Sequence, residues 1–354
     1  MNINFDLLEI IIISLLGSCL ITAISLPNIK NFGEKYQIRD KLSLRKQKNE
    51  SLVRIGGIGI FLGFFSTVIF IKFATDFGTY PFFNYSFFVP FFISITGIFL
   101  LGLLDDIFSL SPLIRLLCQI FISIYLYSSG LNIERLGVSW LNFEPVLLPT
   151  FISILITTIW LVGVTNAINW TDGLDGLTSG IISIAGVSLI IITYSKGQIL
   201  VPIVTACLIG SSLGFLKYNF YPAKIIMGDG GSYFLGFTFA SLSLLSVTSS
   251  SNPISILIPI FLLLIPITDM CIVITKRLIK GKSPFFPDRR HLHHKLIDMG
   301  FSELRTVISI YGFSLFISTN VTILALPKSI SYLPLSLISG LLFLICLIVG
   351  KINS

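Results

Sequence analysis

Long apolar runs separated by short polar segments constrain this chain more than any other feature. A helix that crosses the hydrocarbon core of a bilayer needs about 20 predominantly apolar residues. Charged residues make up only 12% of the 354 residues, whereas soluble domains have about 25%. We therefore predict an all-α, polytopic integral membrane protein with about eleven transmembrane helices in a single domain, residues 1–354. The candidate spans are residues 5–26, 55–74, 86–104, 113–130, 147–168, 174–193, 199–215, 232–248, 254–275, 304–326 and 333–350.

The positive charges predict how these helices are oriented. Lys and Arg accumulate in the cytoplasmic loops of membrane proteins. With eleven spans, one face holds every Lys and Arg of the chain except Lys72, Arg135, Lys196 and Lys328. We therefore expect an external N-terminus, a cytoplasmic C-terminus and a location in the inner (plasma) membrane. Because the charge is divided among loops between apolar runs, no nucleic-acid partner is expected.

The loops on the two predicted faces differ in content. On the external face, segment 133–143 alternates weakly between apolar and polar residues, which predicts a short β-hairpin without a function. The polar motifs all fall on the cytoplasmic face, where we expect the active site. The loops concerned are approximately residues 27–54, 105–112, 166–176, 216–232 and 276–303.

Asp229 is a lone carboxylate between Gly228 and Gly230, immediately before an apolar run. An acid at the mouth of a membrane helix is costly unless it has a function. Glycines let a ligand approach the backbone closely, and the N–H groups of a helix start favour an anion. A carboxylate beside an anion pocket suggests a metal ion that carries phosphates. The alternative is a helix cap made by Asp229 or Ser232.

Two further acidic motifs lie at the ends of other spans. Asp105 and Asp106 close the third apolar run, which suggests a pair that binds metal or accepts a proton; the alternative is an ordinary solvated helix end. The other motif repeats a polar residue every three positions, a spacing that places neighbours on one face of a helix. It predicts a polar ligand site, with a capped polar loop as the alternative. Its members are Asn166, Asn169, Asp172 and Asp175.

All three histidines of the chain lie in one short basic segment. Three histidines at this spacing also suit zinc. No cysteine is near, however, and the flanking cations would repel a dication, so we favour phosphate binding by His and Arg. With the acidic motifs, this segment predicts phosphoryl transfer at a bilayer surface, assisted by a divalent metal. The segment contains Arg289, Arg290, His291, His293, His294 and Lys295.

These motifs resemble those of the polyprenyl-phosphate N-acetylhexosamine-1-phosphate transferases, and in particular the bacterial undecaprenyl-phosphate N-acetylglucosamine-1-phosphate transferase branch of glycosyltransferase family 4. They occur in the family's order between about residues 36 and 296, and eleven spans with an external N-terminus also fit this branch. The matching motifs are Leu-Asp105-Asp106, Asn166-x-x-Asn169-x-x-Asp172-Gly-x-Asp175-Gly-Leu, Asn219-x-x-Pro-Ala-x-x-x-Met-Gly-Asp229-x-Gly-Ser-x-x-Leu-Gly and His291-Leu-His293-His294.

The resemblance implies a reaction and its partners. The phosphate of undecaprenyl phosphate attacks the β-phosphorus of a UDP-N-acetylhexosamine, with UDP-N-acetylglucosamine as the expected donor. UMP leaves, and a lipid-linked diphospho-sugar forms that starts the synthesis of cell-envelope polysaccharide. Mg²⁺ is the implied cofactor, with Mn²⁺ as an alternative. Membrane lipids are further partners, and a homodimer is left open.

The resemblance also implies roles for individual residues. Asp229 matches the family's metal-binding aspartate, and Asp172 is a second candidate ligand. The acceptor phosphate has a second pKa of about 6, so we favour electrostatic positioning over obligatory proton abstraction by Asp105. The catalytic candidates are Asp105, Asp106, Asp172, Asp175, His291, His293 and His294. The substrate-binding candidates are Arg45, Lys46, Asn166, Asn169, Arg289 and Arg290.

The chain departs from the family pattern mainly in the first cytoplasmic loop. Related enzymes usually have proline where Leu42, Ser51 and Val53 stand, and histidine where Lys48 stands. Ile226 replaces an aromatic residue that in relatives can stack on uracil. These differences leave a UDP-N-acetyl-6-deoxyhexose or UDP-MurNAc-pentapeptide as alternative donors. The spacing of the histidines argues against the pentapeptide, because its transferases have three consecutive histidines.

A membrane transporter is the alternative from another class, because intramembrane acids also mark ion pathways. The acids of this chain instead lie mostly in loops at one face. The exception is Asp269, near the end of the ninth apolar run. We expect this residue to approach the cytoplasmic face and to line the site.

Overall fold

A computed structural model describes residues 6–39, 52–75, 85–138, 143–248, 254–284, 291–326 and 338–341. Over these residues the chain forms twelve α-helices and one two-stranded hairpin, with a further helical turn at 338–341. The helices are α1 (Leu7–Lys35), α2 (Gly57–Ala74), α3 (Tyr85–Phe108), α4 (Pro112–Ser128), α5 (Thr150–Thr171), α6 (Leu177–Ser195), α7 (Leu200–Asn219), α8 (Gly228–Thr248), α9 (Leu257–Leu262), α10 (Leu264–Ile279), α11 (Leu292–Asp298) and α12 (Glu303–Ala325). The strands are β1 (Arg135–Val138) and β2 (Phe143–Leu147).

Eight of the described helices are long and apolar enough to cross a bilayer: α1 to α3, α5 to α8, and α12. Helix α4 is also apolar but has only 17 residues. The prediction of a multi-pass, α-helical membrane protein is therefore confirmed. The count of eleven spans and the orientation of the termini stay predictions, and most of the eleventh run, 333–350, lies outside the described residues.

The ninth apolar run, 254–275, does not form the single helix that its composition predicts. It breaks at Leu263, where φ is −105° and ψ is 24°. A proline inside a helix lacks an N–H donor, and its ring clashes with the carbonyl four residues earlier. Pro266 therefore disfavours a continuous helix where α9 ends and α10 begins. The buried face of α10 then carries two charged residues, Asp269 and Arg277.

A short hairpin forms between α4 and α5 as predicted, but its second strand begins where the predicted segment, 133–143, ends. Strands β1 and β2 pair antiparallel, with Arg135 opposite Leu147 and Leu136 opposite Val146. The segment before β1 is tied to α5, because the backbone N–H of Ile133 donates to the hydroxyl of Thr157 at 3.1 Å.

Helix α8 is the most deeply buried of the eight candidate spans. It packs against α2, α3, α5 and α7. Glycine and serine are frequent along it, as expected where membrane helices approach closely. On the α5 side, the indole N–H of Trp160 donates to the carbonyl of Ala240 at 3.2 Å and to the hydroxyl of Ser243 at 3.1 Å. The surrounding helices thus hold the start of α8, and with it Asp229, in a fixed position.

Two glycines allow α2 and α3 to touch the first turn of α8. A Cβ on Gly102 of α3 would lie 2.4 Å from the carbonyl oxygen of Asp229. A Cβ on Gly57 of α2 would lie 2.4 Å from the backbone nitrogen of Gly231. Optimal contacts between non-bonded carbon atoms are about 3.5–4.0 Å. The position of this turn therefore requires glycine, which has no Cβ, at both positions.

We expect Gly102→Ala to destabilise the protein. The added methyl group would overlap the backbone of α8, and overpacking of this kind costs about 1–3 kcal/mol. Gly163→Ala in α5 is the matched control, because a Cβ there would have no described neighbour within 4 Å. Alanine at this position should be neutral or stabilising by up to about 1 kcal/mol. Thermal unfolding of the purified variants in detergent measures the difference, and equal midpoints would contradict the expectation.

Candidate active site

Asp229 is the second residue of α8 and so lies at a helix start, as the sequence predicts. The residue before it, Gly228, has a φ of +77°, in the left-handed region that favours glycine. A Cβ at this glycine would also lie 2.4 Å from Oδ2 of Asp106. The turn into α8 therefore requires glycine, and it places Asp229 beside Asp106.

Asp106, from α3, caps the N-terminus of α8. Its Oδ1 accepts a hydrogen bond from the backbone N–H of Asp229 at 2.8 Å, and its Oδ2 accepts one from Gly230 at 3.0 Å. The first N–H groups of a helix have no partner within the helix, and a negative charge is favourable there. The Asp106 side chain is only 1% exposed. The cap thus comes from a different helix and not from Asp229 or Ser232. The hydroxyl of Ser232 instead donates to the carbonyl of Gly228.

Arg54 joins the two acids. Its Nε lies 2.8 Å from Oδ1 of Asp106, and its Nη2 lies 2.9 Å from Oδ2 of Asp229. One guanidinium group therefore binds a buried carboxylate and a more exposed one, since the Asp229 side chain is 17% exposed. The planar fork of arginine suits this geometry, and a lysine ammonium could not reproduce it.

Backbone pairing brings Arg54 to this position. The backbone N–H of Ile226 donates to the carbonyl of Val53 at 2.8 Å, and that of Gly56 donates to the carbonyl of Ile226 at 2.9 Å. The end of the first loop is thus fastened to the segment before α8. In the sequence Arg54 is one of many cations in that loop and is not among the predicted site residues. Its place two residues before a pair of glycines, Gly56 and Gly57, was the available signal.

Asp105 contacts α4 and also approaches the side chain of Asp229. Its Oδ1 accepts a hydrogen bond from the backbone N–H of Leu110 at 2.7 Å, and its Oδ2 pairs with Nη1 of Arg115 at 2.6 Å. The same guanidinium nitrogen lies 3.4 Å from the hydroxyl of Tyr233 in α8. Asp105 is 4% exposed at its side chain. Both oxygens of this acid therefore already have partners within the protein.

The two asparagines at the end of α5 have different partners. The side-chain amide of Asn169 donates to Oδ1 of Asp229 at 2.8 Å and to the hydroxyl of Ser232 at 2.9 Å. The amide of Asn166 donates instead to Oε1 of Gln119 in α4 at 2.6 Å. Asn169 thus joins the acidic cluster, whereas Asn166 links two helices.

The repeat that begins at Asn166 does not form one helical stripe. Helix α5 ends at Thr171, and Asp172 is its C-terminal cap residue. Asp175 lies in the connection to α6, where its Oδ2 accepts a hydrogen bond from the backbone N–H of Ala223 at 2.9 Å. The expectation of a common helical face therefore holds for the two asparagines but not for the two aspartates.

The histidine motif is anchored by Asp269 of α10. Nδ1 of His291 lies 2.8 Å from Oδ2 of Asp269, and the backbone N–H of Leu292 donates to Oδ1 at 2.7 Å. The rings of His291 and His293 are nearly parallel, with centroids 5.7 Å apart. A Cβ on Gly173 would lie 2.4 Å from Nε2 of His293, so this ring packs directly on the loop that follows α5.

Consecutive residues at the end of α5 connect the two clusters. Asn169 contacts Asp229, and the ring of the next residue, Trp170, meets His291 edge-on at a centroid distance of 5.6 Å. The guanidinium group of Arg277 lies 4.9 Å from the centre of the Trp170 ring, a cation–π arrangement. The acidic cluster and the histidine motif therefore flank the same helical turn.

Four of the predicted substrate-binding residues cannot be placed. They lie outside the described residues and are Arg45, Lys46, Arg289 and Arg290. Within the part of the chain that the structure describes, no three imidazole, thiol or carboxylate groups converge in a ready-made metal site. The roles predicted for individual site residues therefore stay predictions, now with a geometry for most of them.

Comparison with known proteins identifies relatives along most of the chain. The family model described as glycosyl transferase family 4 matches residues 88–247. A probable undecaprenyl-phosphate N-acetylglucosaminyl 1-phosphate transferase from Bacillus subtilis (strain 168) is 36% identical over 314 residues, which cover 88% of this chain and 84% of the relative. An undecaprenyl-phosphate alpha-N-acetylglucosaminyl 1-phosphate transferase from Escherichia coli (strain K12) is 28% identical over 302 residues, covering 84% and 79%.

The similarity reaches beyond the region that the family model matches. Asp105, Asp106 and Asp229 lie inside residues 88–247, whereas Arg54 and the histidine motif lie outside. The alignment with the Bacillus subtilis protein nevertheless extends over most of both chains. The resemblance predicted from the motifs is thus confirmed, and the chain belongs to glycosyl transferase family 4, among the polyprenyl-phosphate N-acetylhexosamine-1-phosphate transferases.

Proposed function

We propose that the protein transfers N-acetylglucosamine 1-phosphate from UDP-N-acetylglucosamine to undecaprenyl phosphate. A bond forms between an acceptor phosphate oxygen and the β-phosphorus of the donor, the bond to UMP breaks, and a lipid-linked diphospho-sugar results. The names of the Bacillus subtilis and Escherichia coli relatives supply this reaction. The structural observation that carries it is the pairing of an acid–arginine cluster with a histidine motif across one turn of α5.

Mg²⁺ is the proposed cofactor, with Mn²⁺ as an alternative. Mg²⁺ is commonly held by one or two carboxylates together with substrate phosphates rather than by a complete protein cage. The donor set fits this mode, because Asp229 offers hard oxygen atoms and is more exposed than Asp105 or Asp106. We propose Asp229 as the principal ligand and Asp172 as a second. Bound there, the ion would offset negative charge on the reacting phosphates.

The surrounding residues orient Asp229 for this role. Asn169 holds Oδ1 and Arg54 holds Oδ2, so the carboxylate cannot rotate freely. Asp106 fixes the first turn of α8 from behind. Preorganised groups of this kind need little rearrangement as charge develops during reaction. In this proposal the acceptor needs no dedicated base, because its phosphate has a second pKa of about 6.

We further propose that the site faces the cytoplasm, at the inner membrane, where a nucleotide sugar is available. The strong bias of Lys and Arg towards one face supports this orientation. Helix α8 begins at the acidic cluster and ends at Thr248, so its two ends would lie near opposite membrane surfaces.

Release of UMP tests the reaction directly. Purified protein, undecaprenyl phosphate, Mg²⁺ and a panel of UDP-sugars should yield UMP with UDP-N-acetylglucosamine as the preferred donor. A lipid-linked product that contains the sugar and both phosphates should form in equal amount. Release of UMP without such a product, or preference for another UDP-sugar, would contradict the proposal.

We expect Asp229→Asn to lower kcat by at least about 10³-fold. The substitution keeps the shape and the bond from Asn169 but removes the charge and the acceptor for Arg54. Metal-ion charge stabilisation is worth several kcal/mol. The variant should still purify as folded protein. Asp106→Asn is the informative comparison, because it weakens the cap of α8 and should lower thermal stability more than Asp229→Asn does. Near-normal Mg²⁺-dependent turnover in Asp229→Asn would show that this residue is not the metal ligand.

We expect Arg54→Gln to lower both stability and turnover. Asp106 would lose its charged partner while it stays buried, at a cost of about 1–3 kcal/mol. Arg54→Lys should recover only part of the loss, since a point charge cannot bind both carboxylates as the fork does. Lys30→Gln is the matched control, because its 3.6 Å pair with Glu34 is exposed. Such pairs contribute about 0–1 kcal/mol. The expectation fails if Arg54→Gln and Lys30→Gln have the same unfolding midpoint and rate.

Cysteine labelling tests the orientation. In a background without the five native cysteines, Thr248→Cys should react with an impermeant maleimide in intact cells. Ser283→Cys, in the segment after α10, should react only after the membrane is permeabilised. Labelling of Ser283→Cys in intact cells would reverse the proposed topology.

A further inference from the structure

Asp269 is a buried carboxylate that neither the acidic cluster nor the proposed metal site uses. It lies on the buried face of α10, and the whole residue is 6% exposed. Burial of a charged group is costly unless hydrogen bonds or an opposite charge compensate for it. Both of its oxygens contact the start of the histidine motif, through Nδ1 of His291 and the backbone N–H of Leu292.

The contact with His291 has a chemical consequence. An ionised carboxylate can only accept hydrogen bonds, so the ring nitrogen that faces it carries the hydrogen. Nδ1–H of His291 therefore donates to Asp269, and the ring cannot turn to exchange its two nitrogens without losing this bond. The hydrogen bond at one ring nitrogen decides which nitrogen is available for another partner. In His291 the available nitrogen is Nε2.

The surroundings of the ring restrict it further. Trp170 meets His291 edge-on, and the ring of His293 lies parallel to it with centroids 5.7 Å apart. Within the described residues, Nδ1 is the nitrogen of His291 for which the structure shows a hydrogen bond. Nε2 is therefore left for a ligand.

We propose that Asp269 is a positioning residue of the active site: it fixes His291 through Nδ1, so that in the imidazolium form of the ring Nε2–H donates to the diphosphate of the nucleotide-sugar donor. This inference rests on the proposed function for the identity of the ligand. The orientation of His291 itself does not depend on that function and can be measured separately.

A purely structural role for Asp269 is the competing explanation. One of its oxygens accepts the first N–H of α11, and a capping role would need this bond alone. The second oxygen instead binds a side chain of the motif, at a distance typical of a charge-assisted hydrogen bond. The two explanations predict different results when His291 is removed, because only a positioning residue would then lose its effect on the reaction.

Nitrogen NMR tests the orientation without any substrate. The chain has three histidines, so ¹⁵N-histidine labelling of the full-length protein gives few signals, and His291→Ala identifies those of His291. We expect a protonated Nδ1 in the resting protein and a shift of this signal in Asp269→Asn. Asp298→Asn is the matched control, since Asp298 is exposed and ends α11, the helix that follows His291. An unprotonated Nδ1, or identical spectra for the Asp269→Asn variant and the unmodified protein, would overturn the proposal.

A double-mutant cycle tests the link to the reaction. Asp269→Asn should lower kcat/KM for UDP-N-acetylglucosamine by about tenfold to a hundredfold, the scale seen when carboxylates that orient metal-binding histidines are changed. In the His291→Ala background the same substitution should change kcat/KM by less than about threefold, because residues in contact are not additive. Asp269→Glu should restore part of the rate. Equal effects of Asp269→Asn in both backgrounds would show a structural role and would overturn the proposal.

The two experiments separate this inference from the proposed function. If the unmodified protein does not release UMP from UDP-N-acetylglucosamine, the proposed donor is wrong, and the NMR result still decides whether Asp269 fixes His291. If UMP is released but the cycle is additive, the function stands and the positioning role falls.

Discussion

The capping of α8 by Asp106 is the interaction on which the site depends. Helix α8 is enclosed by other helices, so its first N–H groups have little access to water and need partners from the protein. Asp106 provides them from α3, and Arg54 compensates the charge that this burial introduces. Because the cap comes from Asp106, the carboxylate of Asp229 is directed elsewhere, towards Asn169 and the more exposed side.

This arrangement gives unlike roles to acids that look alike in sequence. Asp105 and Asp106 are adjacent, yet one binds Arg115 beside α4 and the other binds the start of α8. Successive residues of a helix point about 100° apart, so a helical acid pair naturally divides between two neighbours. Asp229 shares Arg54 with Asp106 and has the larger exposed fraction. Asp229, the acid that is exposed enough to bind a ligand, is therefore held in place by Asp106, the acid that caps the helix.

The sequence predicts the elements of this fold better than the contacts between them. Apolar runs of sufficient length indicate the membrane helices, and alternation indicates the hairpin, because both patterns are local. The break at Leu263 is a local feature too, and the proline three residues later was its signal. Contacts such as that between Arg54 and Asp229 join positions 175 residues apart, and no periodicity within either segment encodes them.

The same distinction explains which site residues the sequence predicts. Asp229 and the histidines stand out because polar residues are rare near apolar runs, and composition alone makes them conspicuous. Arg54 is one cation among many in a basic loop. Asp269 is conspicuous as a single acid within an apolar segment and is expected to line the site, but its partner is not predicted. Their importance arises only when the fold brings a partner to them: two carboxylates in one case, and an imidazole and a backbone N–H in the other.

The two supporting residues also show how the site combines rigidity with access. Arg54 and Asp269 each bind through two atoms, and each joins segments that are distant in sequence. A group fixed at two points loses most of its rotational freedom before a ligand arrives, so less conformational entropy is lost when the ligand binds. A substrate that carries several negative charges would therefore meet Asp229 and His291 already oriented. Substitution of Arg54 or Asp269 would therefore affect the reaction through the orientation of Asp229 or His291.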